Sequence, residues 1–201
     1  IFDPYNGHIR ITEGYDDVIS KILNKMAANM RIENFFNVNQ GIVSGADRLS
    51  NSHISKYNIN KNKGDGIFVL SEEEIENNDF NLLEYEVLMP FYKNSDINRF
   101  IASKSTDKKI IYIEKNIKEI KDMYPNIDNH LRQYYSILSN RREAKRGYIN
   151  YYNLQWGRNK EMFISEKIIA PQRSFKNTFA YNDIPWFASA DVYYITKKDN
   201  R

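Results

Sequence analysis

A chain of 201 residues can bury one substantial core, as a single domain or a domain with an appendage. Its 41% hydrophobic and 27% charged residues are ordinary for a globular protein, and no apolar run reaches the roughly 20 residues that cross a bilayer, so no membrane partner is expected. With no cysteine there are no disulfides, no thiolate chemistry and no cysteine-ligated zinc, which suits the expected cytoplasmic location.

The net charge of +3 is too mild to argue for a polyanionic partner alone, so the placement of the cations matters more than their sum. His8, His53 and His130 are too far apart in sequence for a helix-borne metal site, and no metal is expected. The opening Ile1-Phe2-Asp3-Pro4 has neither a starting Met nor the blocks of a signal peptide, which suggests a processed or trimmed piece.

The spacing of Ile19, Ile22, Leu23 and Met26 predicts a helix over Tyr15 to Met30, with Asp16 and Asp17 at its N-terminal end. Phe35 to Val38 reads as a strand that runs into the turn Gly41 to Gly45. The polar, lysine-rich stretch Asn51 to Asp65 reads as a mobile surface loop. Ile67 to Leu70 reads as a strand, and Ser71 with Glu74 is a capping box that starts a short helix. Leu82 to Leu88 continues helically until Pro90 ends it.

Lys109 to Ile113 is a further strand. Ile127 to Arg146 is the best helix of the sequence, with Leu131, Tyr134, Tyr135 and Leu138 on one face and Arg141, Arg142, Lys145 and Arg146 at its end. Past Trp156 the helical period vanishes, and Lys167 to Ala170, Phe179 to Tyr181 and Ala190 to Ile195 read as short strands. The expected class is α+β: a short-stranded mixed or antiparallel sheet packed with helices, with one long helix in the middle of the chain.

Catalytic signatures are missing from the sequence. It has no GxGxxG loop, no Walker lysine loop, no GxSxG turn and no pair of adjacent prolines, so the Asn/Asp-Pro-Pro-aromatic tetrapeptide of amino methyltransferases is absent. Glu114-Lys115 and Glu166-Lys167 lack the intervening residue of a nuclease Glu-x-Lys, and no catalytic residue is assigned. What stands out is a set of cations and amides interleaved with aromatics: Lys93-Asn94-Ser95-Asp96 ahead of a short helix bearing Arg99, Arg141-Arg142, Trp156-Gly157-Arg158, then Lys167, Arg173 and Lys176. The same residues also suit a structural reading, in which Trp156, Phe163, Phe179, Trp186 and Tyr193 fill a core and Arg141-Arg142 complements a helix dipole. Residue types alone thus leave open a DNA-binding module, a protein-interaction domain and, more remotely, a nuclease fragment.

Consecutive segments resemble the TaqI-like target-recognition domain of type IIG restriction-modification enzymes and related adenine-specific DNA methyltransferases. VNQGIVSGADRLSNSHI, Val38 to Ile54, resembles that family's opening strand and loop. GDGIFVLSEEEI, Gly64 to Ile75, resembles its next strand and capped helix, and LLEYEVLMPFYKNSDINRF, Leu82 to Phe100, its most distinctive stretch. KKIIYIEKN, YPNIDNHLRQYYSILSNRRE, YYNLQWGRNKEMF and the closing Lys167 to Ile195 follow in the family's order, so the resemblance runs from about Phe35 to Ile195.

The resemblance implies sequence-specific recognition of double-stranded DNA. Methyl transfer from S-adenosylmethionine would belong to a separate methyltransferase domain, the other expected partner, and no cofactor is expected on this chain. Residues 1–34 are expected to be a linker helix to that domain, and 35–201 a recognition domain truncated at its C-terminal end.

The resemblance marks Gln40, Gly41, Ser44, Gly45 and Asp47 as a DNA-facing loop, together with Lys93, Asn94, Ser95, Asp96 and Arg99. Arg141, Arg142, Trp156, Arg158 and Arg173 complete the candidate DNA-binding set, with base specificity expected from less shared positions such as Arg48, Asn51, His53, Arg158, Arg173 and Asn177.

Overall fold

The computed structural model describes residues 18–27 and 29–198. The chain divides into two compact units, Ile1–Phe36 with Lys198–Arg201, and Asn37–Lys197. The first contains a helix, Val18–Ala27, on which Ile22 and Met26 are exposed, and a 3-10 turn, Ile32–Asn34. The expected start of that helix, 15–17, lies outside the described residues. Within this unit the Lys198 N–H donates to the Phe35 carbonyl at 2.9 Å.

The chain is α+β. Its strands among the described residues are β1 (Phe36–Gln40), β2 (Val69–Ser71), β3 (Leu88–Tyr92), β4 (Ile97–Asn98), β5 (Ile101–Ala102), β6 (Lys108–Ile111), β7 (Lys167–Pro171), β8 (Ala180–Asn182), β9 (Phe187–Ala188) and β10 (Val192–Lys197). They form one sheet of order β1-β10-β7-β8, a second of order β2-β6-β3-β9, and the hairpin β4-β5. Pairing is antiparallel for β10 with β7, β7 with β8, and β6 with both β2 and β3, whereas β9 runs parallel to β3.

An aromatic core joins the two sheets. Tyr194 of β10 stands edge-on to Phe163, whose ring stacks on Phe187 of β9 at 4.7 Å, and Tyr92 of β3 stacks on Trp186 at 4.6 Å. The polar ends of these rings are satisfied inside: Tyr194 donates to the Trp186 carbonyl, the Trp186 indole to the Ser103 carbonyl, and Tyr92 to the Lys104 carbonyl.

Three elements depart from the sequence reading. The stretch 125–145 is not one helix but three, Pro125–Arg132, Tyr135–Leu138 and Arg142–Lys145. The last break falls at Arg141, whose extended backbone (φ −63°, ψ 145°) turns its guanidinium inward. There it donates to the carbonyls of Leu138, Ser44 and Tyr151, so the bonds to distant parts of the chain replace continuity of the helix.

The supposed loop after Asn51 opens with a helix, Asn51–Tyr57, capped by Ser50 and closed by Asn58 in the left-handed region. His53, rather than Glu or Gln, completes its capping box. The helix expected over Leu82 to Leu88 stops at Tyr85, and Pro90 lies within strand β3. At Pro90 the strand pairs with β6 alone, since β9 joins only from Phe91, and such a place tolerates a missing N–H.

Glu84 is fully buried and ties two helices together. Its carboxylate accepts the N–H groups of Asn81, Asn126 and Ile127 and the side-chain amide of Asn126. Glu84→Ala strands these donors, and we expect it to cost about 3 kcal/mol, read as a lowered urea midpoint with an unchanged slope. Burial, helped by the charges of Asp65 and Glu74, pushes the Tyr134 phenol up to about 12. Because that value exceeds the ordinary 10 of the unfolded chain, the stabilisation is complete below pH 10 and is lost as pH rises towards 12. Urea midpoints measured across that window should fall, and should fall less steeply in Tyr134→Phe.

Candidate nucleic-acid interface

Gln40 ends β1, and beyond it the chain lies against a second segment. The Gly41 N–H donates to the Val192 carbonyl at 2.9 Å and the Ile42 N–H to the Ala188 carbonyl at 2.8 Å. This approach needs glycine, because a Cβ at position 41 would stand 2.4 Å from the carbonyl oxygens of both Ala188 and Ser189. Val43 then pairs with Trp156 through two backbone bonds of 3.0 and 2.8 Å. Arg158 closes the arrangement: its Nε donates to the Gly41 carbonyl at 3.1 Å and its guanidinium lies 5.6 Å from the Trp156 ring.

On the other side of Ala188 runs β3, with Tyr92 paired to Ala188 and Lys93 following directly. Lys93, Ala188–Ser189, 41–43 and 156–158 are thus successive neighbours across three strand spacings, on the order of 14 Å. The chain of neighbours extends further. Gln172 donates its N–H to the Asp191 carbonyl at 2.6 Å, which brings the start of the 172–179 loop beside the Ser189–Asp191 turn. At the loop's other end the Phe179 carbonyl accepts from the Phe100 N–H at 2.9 Å, setting the Arg99–Phe100 turn of the β4-β5 hairpin against it.

The helix expected to carry Arg99 is instead a 3-10 turn, Asn94–Asp96, followed by that hairpin. Phe100 at φ 73° and its bond to Phe179 impose the reversal. Asp96 is partly buried and accepts the Lys93 N–H at 2.7 Å, leaving Lys93, Asn94 and Ser95 exposed.

Other members of the candidate set have internal partners. Ser44 is buried and donates to the Asp47 carboxylate, while the Asp47 carbonyl accepts from the N–H groups of Ile67, Phe68 and Val69. Gly45, at φ 83°, lies where a Cβ would meet the Gln155 amide and the Arg141 side chain. Arg48 pairs with Glu74 and donates to the Val69 carbonyl, and Arg142 pairs with Glu143. Arg141 is buried over the Phe68 ring with its donors engaged.

Lys167 is buried too, donating to the carbonyls of Ser165 and Ile184, and burial lowers its ammonium to about 8. His53, read as a base-specificity position, caps the Asn51–Tyr57 helix.

Lys93, Arg99, Arg173 and Lys176 are exposed, and none forms an ion pair among the described residues. Of the aromatics read as core, Phe163 and Trp186 are buried, whereas Trp156 and Phe179 are 42% and 43% exposed. Sequence reasoning passed over Phe100, Phe175 and Tyr181, all exposed. For Phe175 and Tyr181 the signal was the alternation of aromatics with cations in PQRSFKNTFAY, which holds no acid. Among the described residues no group of three His, Asp or Glu could hold a metal ion. No described helix is long and apolar enough to cross a membrane.

Gly41→Ala forces two backbone segments apart. We expect it to lower stability by about 1–3 kcal/mol and to speed amide exchange at Gly41 and Ile42, both measurable by hydrogen exchange.

No protein-family model matches this chain, and no curated protein matches it. Among solved structures it is similar to the type IIL restriction-modification enzyme MmeI, solved in complex with DNA, at 12% identity and a TM-score of 0.47. The match covers 81% of this chain and 19% of that enzyme, a likeness too low to carry an argument.

Proposed function

We propose that this chain recognises double-stranded DNA for a site-specific adenine methyltransferase of the restriction-modification kind, type IIG. Methyl transfer, and any S-adenosylmethionine, would belong to a separate domain. The supporting observation is that segments remote in sequence (40–43, 93–99, 156–158 and 173–179) fold into consecutive neighbours, of which 93–99 and 173–179 carry exposed cations that form no ion pair. These are the stretches that resemble the TaqI-like recognition domain.

In this reading Lys93, Arg99, Arg173 and Lys176 meet phosphates, because their charges have no ion pair to leave. Gln40, Asn94 and Arg158 are the candidates for base edges, where amides suit adenine and guanidinium suits guanine. Gly41, Ser44, Gly45, Asp47, Arg48 and Arg141 act one step back, shaping the loop that presents Gln40. The target adenine would be turned out of the duplex into the pocket of the separate domain, since base chemistry within a stacked helix has no access.

The reading is tested by fluorescence anisotropy with duplex DNA as salt rises from about 50 to about 200 mM. Four phosphate contacts predict a log–log slope of about −3.6, at about −0.9 for each. Lys93→Ala and Arg99→Ala should each reduce that slope by about 1, whereas Arg142→Ala, whose charge is already paired with Glu143, should leave it unchanged. Absence of duplex binding at the lowest salt overturns the proposal.

A further inference from the structure

The tip of the β7–β8 hairpin carries a feature that phosphate and base-edge contacts leave unexplained. Phe175 is fully exposed, its whole ring open to a partner. The loop holding it is closed by its own bonds. The Ser174 and Thr178 hydroxyls lie 3.1 Å apart, the Lys176 N–H donates to the Ser174 Oγ at 3.3 Å, and the Thr178 hydroxyl donates to the Lys176 carbonyl at 3.1 Å. Below the tip, the antiparallel register Lys167↔Asn182, Ile168↔Tyr181, Ile169↔Ala180 anchors both arms. Phe175 therefore stands on a tied turn.

The surroundings specify the chemistry of what meets it. Phe100, 72% exposed, and Phe179 adjoin through the bond between their backbones, and Ile101 is 69% exposed beside them. From Pro171 to Tyr181 there are two cations, Arg173 and Lys176, and no acid; the adjoining Ile97 to Lys104 adds Arg99 and Lys104, again with no acid. The acids Glu166 and Asp183 lie at the base of the hairpin, flanking β7 and β8. An apolar projection whose own loop carries Arg173 and Lys176 and no acid, with Asp191 beside the loop's start and Asp96 behind the Ile97–Ala102 hairpin, complements a partner with a polyanionic rim and an apolar interior, which describes a base stack between its phosphates.

Resting on the DNA-recognition reading, we propose that Phe175 is a wedge that enters a base step of the bound duplex. Arg173 and Lys176 then hold the flanking phosphates, and Phe100 and Phe179 cover the opened step. Insertion costs unstacking, so the wedge favours steps already weakened and bends the duplex it enters. No bond is made or broken. The contribution lies in selecting deformable steps and in distorting the duplex.

The test compares the whole chain with Phe175→Ala and Phe175→Leu on two duplexes, one fully matched and one with a single central mismatch. The loss of an exposed side chain leaves folding intact, so altered binding reports on the contact. The wild type should prefer the mismatched duplex by about tenfold, with Phe175→Ala losing that preference while keeping matched-duplex binding and Phe175→Leu retaining most of it. In Phe175→Trp, stacking on a base should quench the added emission when DNA is bound.

Equal affinities for both duplexes in wild type and Phe175→Ala, with matched binding intact, overturn the wedge and leave the recognition reading standing. Failure to bind either duplex removes both. Emission of Phe175→Trp that is blue-shifted in the free chain and indifferent to DNA assigns the tip to a polypeptide contact and overturns the wedge.

Discussion

The absence of a side chain at Gly41 governs how the candidate interface is assembled. Two carbonyl oxygens, of Ala188 and Ser189, occupy the space a Cβ would need, so the Gln40–Val43 strand end can lie against β9 only with glycine there. That contact sets the rest in order. β9 is already paired to β3 on its far side, which fixes Lys93, and Val43 goes on to pair with Trp156, which fixes Arg158. Arg158 then donates back to the Gly41 carbonyl, so the two ends of the seam are held by one backbone group. Moving that glycine would not remove one contact but would shift the spacing among four segments drawn from across the sequence.

Burial sets two cations of this chain apart from the rest. Arg141 and Lys167 are inside, with carbonyl oxygens as partners, where the desolvation of a charge is offset only by full hydrogen bonding. Arg141 in particular spans the Ser44 loop, the end of one helix and Tyr151, a structural task that leaves none of its nitrogens for a ligand. Its neighbour Arg142 is exposed but paired to Glu143. Lys93, Arg99, Arg173 and Lys176 are exposed without an ion pair on the segments that adjoin Ala188–Ser189 and Phe179, as are Lys63, Lys115 and Lys145 elsewhere among the described residues.

Where the sequence carried a strong local rule, the fold follows it. Ser71 and Glu74 form the capping box their spacing announces, and the β-branched runs at Ile67, Lys109 and Lys167 become or adjoin strands. Elsewhere a distant partner decided. Arg141-Arg142 reads as a solvated helix end, and nothing local reveals that one arginine turns in to meet a carbonyl 97 residues away. His53 completes a capping box in a role that Glu or Gln usually fills, so the Asn51–Tyr57 helix hid in a lysine-rich stretch. Pro90 argues against a strand until the pairing shows β3 with a single partner there. Exposure of Phe175 was the least legible of all, since phenylalanine defaults to the core and only a tied turn holds it out.

Backbone strain points to the same region by an independent route. Among the described residues four that are not glycine have positive φ: Asn58, Asp79, Phe100 and Arg158. Asn and Asp enter that region at little cost, and Asn58 does so as a helix cap. For Phe100 and Arg158 the conformation costs about 1–3 kcal/mol each and needs external support. Phe100 has it from the Phe179 carbonyl, and Arg158 from Tyr112, whose hydroxyl donates to the Arg158 carbonyl at 2.8 Å while burial pushes the phenol up to about 12. A fold needing only stability would place glycine or asparagine at both sites. At Arg158 the side chain uses the conformation to reach the Gly41 carbonyl and the Trp156 ring, and at Phe100 the conformation makes the reversal of the β4-β5 hairpin.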